Sequence, residues 1–428
     1  MQDNPMLIED LFRLSQQFLI AKNQAYRRYF IKTTDLSHRM NIIVGARGIG
    51  KTTTLVQVLL DHVQSKNDPE LAQSTRILYL QADHFLMKTL TLYEIAEYFV
   101  QHGGEYLAID EIHKYPHWSM ELKSIFDTFE HLKILVSGSS ALEIAKGSHD
   151  LSRRALVFRM AGLSFREFLE IEQGISFNPI TLQDLLGQHA SIAQDILGRL
   201  AHSTATEQTT VLSAFKKYLE EGYYPYRQSL NSKAHYQMAL EQNIHVTLES
   251  DLVAIYPELT GRSISRIKKL LSLIANQVPF IPNWSKMVAI LELGDVRTVK
   301  QYFQYLESAE LVVGLSSHSK KLKALENPEK VFLNNSNLLY TLASQSPEIG
   351  TVRETFFASM LTVQHDLTLP SSGDFQVDDE FFFEIGGAKK SFQQLAENAN
   401  LQKSFVVADN IEVGFGQRIP LWLFGFLY

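Results

Sequence analysis

The eight residues Gly45-Ala46-Arg47-Gly48-Ile49-Gly50-Lys51-Thr52 have the types and spacing needed to hold a chain of phosphates. They fit G-x-x-x-x-G-K-[ST], in which glycines let the backbone curl until several N–H groups point at one anion. Met40-Asn41-Ile42-Ile43-Val44 precedes them as a short apolar run suited to a buried parallel strand. Thr53-Thr54-Leu55-Val56-Gln57-Val58-Leu59-Leu60 follows and reads as a helix, whose N-terminal dipole favours negative charge. In that setting Lys51 reaches the β- and γ-phosphates and Thr52 holds Mg²⁺. Gly45 to Thr53 form the expected nucleotide cradle, with Ser139 as a further contact.

A second group with chemistry lies in Tyr106-Leu107-Ala108-Ile109-Asp110-Glu111, an apolar run ending in two acids. Ligands of parallel sheets sit at the carboxyl ends of the strands, so this run delivers both acids beside the phosphate loop. Asp110 is then expected to support Mg²⁺ with Thr52, and Glu111 to orient and deprotonate the attacking water. The run Lys133-Ile134-Leu135-Val136 is another strand, and Ser137-Gly138-Ser139-Ser140-Ala141 follows it. Those small polar residues read either as sensors of the γ-phosphate, Ser139 foremost, or as a plain turn. Ser152-Arg153-Arg154 and Arg159 come next. Phosphoryl transfer often uses an arginine against developing charge, in cis or from a neighbouring subunit. Arg154 is the candidate and Arg153 the reserve, while a solvated arginine-bearing helix fits the same residues.

The elements around these groups belong to a soluble, cytoplasmic type of chain. Its 428 residues carry a net charge of −7 and no cysteine, so disulfide scaffolds and cysteine-ligated zinc are excluded. No apolar run reaches membrane-spanning length, and the first residues lack a signal-peptide pattern. Residues 5 to 31 show helical spacing of Leu7, Ile8, Leu11, Phe12 and Leu14, then Phe18, Leu19 and Ala21. Arg27 and Arg28 at its end read as surface charges. Arg76 to Asp83 reads as a further strand of the first domain.

The segments GARGIGKTT, YLAIDEIH, SGSSA and RR…GLSFREF, in this order and spacing, resemble the prokaryotic AAA-type P-loop ATPases, also called archaeal-type. The resemblance implies ATP as ligand and an N-terminal ATPase module. It also implies a C-terminal domain of unknown function, built of a winged helix and a PD-(D/E)xK nuclease-like fold. In that family a glycine precedes the arginine before the LSF-EF segment, whereas Ser152 or Arg153 stands there in this chain.

The expected fold class is α/β: a P-loop NTPase sheet of the ASCE/AAA type with a helical lid, then a winged helix-turn-helix, then a small α/β nuclease-like domain. Its expected parts are an ATPase core over 1–175, a helical lid or linker over 176–256, a winged helix over 257–322 and the nuclease-like region over 323–428. Within the lid, Gly222-Tyr223-Tyr224-Pro225 and Asp251-Leu252 are read as packing. Residues 257–330 hold eleven Lys or Arg against seven Asp or Glu, a positive balance inside an acidic chain. Trp284 to Leu293 reads as one helix, Gly294 as a turn, and Asp295 as the cap of a second helix. That second helix turns Val299, Phe303 and Leu306 inward and Arg297, Thr298, Lys300, Gln301 and Gln304 outward, as a recognition helix does. A protein-contact module would show the same pattern.

By the same resemblance, Glu354, Asp374 and Glu384 take the carboxylate positions of the nuclease-like site, and Gly386 stands at the lysine position. The expectation is a nuclease scaffold without nuclease activity, with Lys389 and Lys390 beyond a Gly-Gly pair. The run 420–428 is too apolar for a free tail and reads as a packed strand or a partner-binding peptide. Two functions fit the whole. One is an ATPase switch acting on a protein or DNA partner, as a monomer or a homo-oligomer. The other is a nucleotide-gated DNA-binding or DNA-processing effector with slow turnover.

Overall fold

The computed structural model describes residues 4–65, 71–138, 151, 153–202, 209–317, 327–391 and 401–428. Contacts divide the chain into two compact units: Met1–Ala161 with Glu249–Glu258, and Gly162–Leu248 with Leu259–Tyr428.

The first unit is built on a five-stranded sheet in the order β2-β3-β4-β1-β5. Its strands are β1 (Met40–Val44), β2 (Ile77–Gln81), β3 (Tyr106–Asp110), β4 (Lys133–Gly138) and β5 (Leu156–Arg159), and every neighbouring pair is parallel. All five residues of β1 and of β3 are buried, which is why these strands read as continuous apolar runs without alternation. The helix Lys51–Ser65 follows β1 directly and buries Leu55, Leu59 and Val63 completely. The helix Asn4–Lys22 packs on β2, with the Phe18 ring stacked 4.4 Å from that of Tyr79.

The helix expected over 5–31 stops at Lys22 and resumes only as the short turn Tyr29–Thr33. Arg28 corrects its reading as a surface charge. It is 6 % exposed and donates to the carbonyls of Ile49 at 2.8 Å and Ala161 at 3.1 Å. Loop carbonyls that no ladder satisfies need such a partner, and the guanidinium fork supplies several donors at once. Arg27 pairs with Asp61 at 2.8 Å.

The helix Phe165–Gln173 falls in the second unit, which starts at Gly162, whereas the expected ATPase core runs on to residue 175. Packing decides the difference, because Phe165 contacts the rings of Phe215, Tyr218, Trp422 and Phe426. Conversely Glu249–Glu258, which spans the end of the expected lid and the start of the expected winged helix, groups with the first unit. The helices Gly261–Ala275, Trp284–Ile290 and Val296–Ser308 lead into an antiparallel pair, β6 (Val312–Leu315) and β7 (Lys330–Leu333). Val299, Phe303 and Leu306 are buried on the last of these helices, while Arg297, Gln301 and Gln304 are exposed. Asp295 caps it by accepting from the Thr298 amide at 3.0 Å.

Beyond the helices Ser336–Leu342 and Ile349–Leu361 comes a second five-stranded sheet, in the order β12-β11-β10-β9-β8. These strands are β8 (Leu367–Thr368), β9 (Phe375–Val377), β10 (Phe381–Gly386), β11 (Ser404–Ala408) and β12 (Arg418–Pro420). β10, β11 and β12 are parallel, and β9 is antiparallel to both β8 and β10. The packed strand expected over 420–428 is instead a buried 3-10 turn, Leu421–Phe426. Gly425 permits it, since a Cβ there would lie 2.4 Å from Cβ of Phe165.

A buried ion pair holds this packing. Arg166, 2 % exposed, bonds Glu170 at 2.7 Å and the backbone oxygens of Tyr428 and Phe177 at 3.0 and 3.2 Å. Glu170 also accepts from the Phe177 amide at 2.7 Å. Removing one partner of such a pair strands a charge in the interior, so Glu170→Ala is expected to lower stability by about 3–5 kcal/mol in chemical denaturation.

Candidate active site

The phosphate loop leaves β1 at Val44, whose carbonyl accepts from the Met160 amide at 2.8 Å. That contact leaves no room for a side chain at position 45: a Cβ on Gly45 would lie 2.4 Å from the Met160 carbonyl oxygen. Gly50 has φ 101°, a left-handed conformation that glycine adopts without strain, and the helix starts at Lys51. Ala46 and Ile49 are buried, Arg47 and Gly48 half-buried, and Arg28 holds the loop from beneath through the Ile49 carbonyl. Lys51 is 4 % exposed, and its ammonium donates to the carbonyls of Gly45 and Ala46 at 2.8 and 2.9 Å. Thr53, half-buried, follows Thr52 on the first helical turn.

Strand order brings the acids to this loop. Thr52 Oγ1 donates to Asp110 Oδ2 at 2.6 Å, joining the helix after β1 to the end of β3. Tyr79, from β2, donates its hydroxyl to the same oxygen at 2.8 Å, and Ser137, from β4, donates to Oδ1. Burial and then the Asp110 charge push the Tyr79 hydroxyl far above its usual range, so it stays a protonated donor. Glu111 turns out of the strand at φ 55°, an uncommon backbone for a residue with a side chain, and its amide donates to Ser137 at 3.2 Å. Its carboxylate lies 3.4 Å from the Lys114 ammonium and 3.8 Å from His113 Nε2. Burial pushes the His113 ring below its ordinary value, which favours the neutral form beside the acid.

Arg154 forms a two-pronged pair with Asp127, at 2.7 and 2.8 Å, while Arg153 is exposed. Ser139 lies outside the described residues. Sequence reasoning missed Tyr79 and Arg28, which neither a motif nor a charge pattern marks as part of the site, while Ser137, from the run read as sensors or a turn, bonds Asp110. Sequence reasoning also read Asp251 as packing. Asp251, 2 % exposed, bonds Arg47 of the loop at 3.1 and 3.3 Å. Glu111, His113 and Asp251 each place a polar atom within 4.8 Å of the others, the only such cluster of potential metal ligands among the described residues.

The second unit holds the other predicted carboxylates. Glu354 lies on the helix Ile349–Leu361, Asp374 stands just before β9, and Glu384 is on β10, 1 % exposed. Asp374 accepts from the Ile385 amide at 2.7 Å. Lys390, which lies beyond the Gly-Gly pair, forms an ion pair with Glu384. A tight turn closed by the Lys390 amide on the Gly387 carbonyl brings it back. Its aliphatic stem fills the space over Gly386, where a Cβ would lie 2.6 Å away.

Burial, then the neighbouring Asp374 charge, pushes Glu354 up to about 7. A carboxyl raised in the folded state binds its proton more tightly there, so stability from this group falls as pH rises from about 4.5 to about 7. Glu354→Gln is therefore expected to be more stable than the parent at pH 8, by about 1–3 kcal/mol, with the gap closing by pH 4.5 in denaturation curves.

Two separate stretches of the chain match known families. Residues 37–169 match the family model described as AAA domain, and residues 212–349 match a domain of unknown function, DUF8612. An uncharacterized protein of Methanocaldococcus jannaschii is 25 % identical over 300 residues, covering 68 % of this chain and 59 % of that protein. The match thus spans less than two thirds of the relative's own length. RuvB of Thermotoga maritima aligns at 14 % identity over 77 % of this chain and 96 % of its own, with a TM-score of 0.26. AMPPCP-bound DnaA of Aquifex aeolicus aligns at 14 % identity over 65 % and 86 %, with a TM-score of 0.27. Likenesses this loose carry no argument about function. Residues 37–169 are thus similar to an AAA domain, with the phosphate loop near the start of the matched stretch and Asp110 at the end of β3.

Proposed function

We propose that the protein binds ATP with Mg²⁺ at Gly45 to Thr53 and hydrolyses it, and that turnover switches the conformation of the second unit on a DNA or protein partner. The observation that carries this reading is the 2.6 Å bond from Thr52 to Asp110, which sets Glu111 at the carboxyl edge beside the loop. The hydroxyl of Thr52 and the carboxylate of Asp110 are hard oxygen donors already paired, a set suited to Mg²⁺, and these two residues would hold it. Bound there, the ion neutralises phosphate charge. Lys51 would exchange its loop carbonyls for phosphate oxygens. Glu111 would take a proton from the attacking water, with the neutral His113 ring unable to cancel its charge.

Arg154 is the arginine proposed to neutralise charge on the leaving phosphates, with Arg153 in reserve, and it must first leave Asp127. Acting from a neighbouring subunit it would require a homo-oligomer, and acting in cis it would not. In the second unit, the elements Gly261–Ala275 to β7 support the winged-helix reading, with Arg297, Gln301 and Gln304 as the exposed recognition face. We infer no nuclease activity for Glu354, Asp374 and Glu384. Gly386 stands at the lysine position, and Lys390 is already paired with Glu384.

Glu111→Gln is expected to slow ATP hydrolysis by about 10²–10⁴-fold while nucleotide affinity persists. An unchanged turnover rate would remove Glu111 as the base. If the second unit engages duplex DNA through the face of Val296–Ser308, affinity should fall steeply as salt rises, and ATP turnover should change when DNA is added. A flat salt response, or no binding at low salt, would leave a protein as the partner.

A further inference from the structure

Asp251 sits at the end of the π-helical turn Thr247–Asp251, just before the helix Leu252–Ile255. A π-turn costs regular hydrogen bonding and often marks a working position. The Asp251 side chain caps nothing on its own helix. Its carboxylate, 3 % exposed, is spent on Arg47, a residue of the phosphate loop 204 positions earlier. The same carboxylate lies within 4.8 Å of ligand atoms on Glu111 and His113. Arg47 is thus held close to where Glu111 would face the terminal phosphate.

In this cluster the Glu111 and Asp251 carboxylates lie beside the cations Arg47 and Lys114, Lys114 is shared with Asp83, and burial disfavours a charged His113. A terminal phosphate entering beside Glu111 adds negative charge where two carboxylates already lie close together. It must either draw Arg47 to itself or be repelled by Asp251. A diphosphate, lacking that group, leaves the pair as it is. The chain adds a consequence, since Glu249–Glu258 belongs to the first unit while Leu248 and Leu259 on either side belong to the second.

We propose that Asp251 is a specificity-determining residue which competes with the γ-phosphate for Arg47, so that Glu249–Glu258 registers whether the loop holds a triphosphate or a diphosphate. The inference rests on the reading that the loop binds ATP. Arg47 exchanges one anion for another, and Asp251, losing its counter-charge beside Glu111, moves away with its short helix.

Hydrogen exchange on the full chain, at saturating ADP and at a saturating non-hydrolysable ATP analogue, tests this directly. Amides of residues 249–258 are expected to exchange faster with the analogue than with ADP. Asp251→Asn should raise the ratio of analogue affinity to ADP affinity by at least about fivefold, and should abolish the nucleotide dependence of exchange in that segment. Equal exchange with both nucleotides in the parent protein would overturn the proposal, even if the variant fails to fold. An unchanged affinity ratio in a folded variant would do the same. Failure of either nucleotide to bind would instead overturn the ATP reading on which the proposal stands.

Discussion

The carboxylate of Asp110 is the fixed point of the first unit. It is 3 % exposed, and a charge so placed is tolerated only when donors surround it. Three hydroxyls do so, from Thr52 after β1, Tyr79 on β2 and Ser137 on β4. Each comes from a different element, so one side chain ties the phosphate loop to three strands of the sheet. The position of Glu111 follows, because the next residue must leave the strand at a left-handed turn with its amide on Ser137. The same constraint accounts for Arg28, which satisfies loop carbonyls of Ile49 and Ala161 that the sheet leaves over.

The second unit solves its polar burial differently. Arg166 and Glu170 meet deep in an aromatic core, where the guanidinium also takes backbone oxygens of Phe177 and Tyr428. Across the second sheet, Phe357 packs against Phe375, Phe383 and Phe424, and Glu354 stands on the same helix as Phe357. A carboxyl pushed up to about 7 there is a cost retained in the fold. Lys390 lowers the corresponding cost at Glu384 by supplying a counter-ion.

Much of the first unit was legible in the residues. Continuous apolar runs at Met40–Val44 and Tyr106–Asp110 are what strands buried on both faces require, and the glycines of the loop encode its backbone. The inward face of Val296–Ser308 was equally plain, since Val299, Phe303 and Leu306 repeat at helical spacing. Other features carried no such periodic signal. Arg28 looked like any surface cation next to Arg27, and the close of the chain looked like a strand because apolar content alone cannot separate a strand from a buried 3-10 turn.

The chain by itself determined the loop, the acid-bearing strand and the helix that follows β1, because these depend on local conformation and on periods of a few residues. Tertiary structure alone decided which distant groups complete them. Asp251 lies 204 residues from Arg47, Tyr79 lies 31 from Asp110, and Lys390 turns back across a pair of glycines to Glu384. Such pairs share no period and no spacing. They exist because buried charges must be matched by whatever the fold brings near, and that neighbourhood is set by packing rather than by order along the chain.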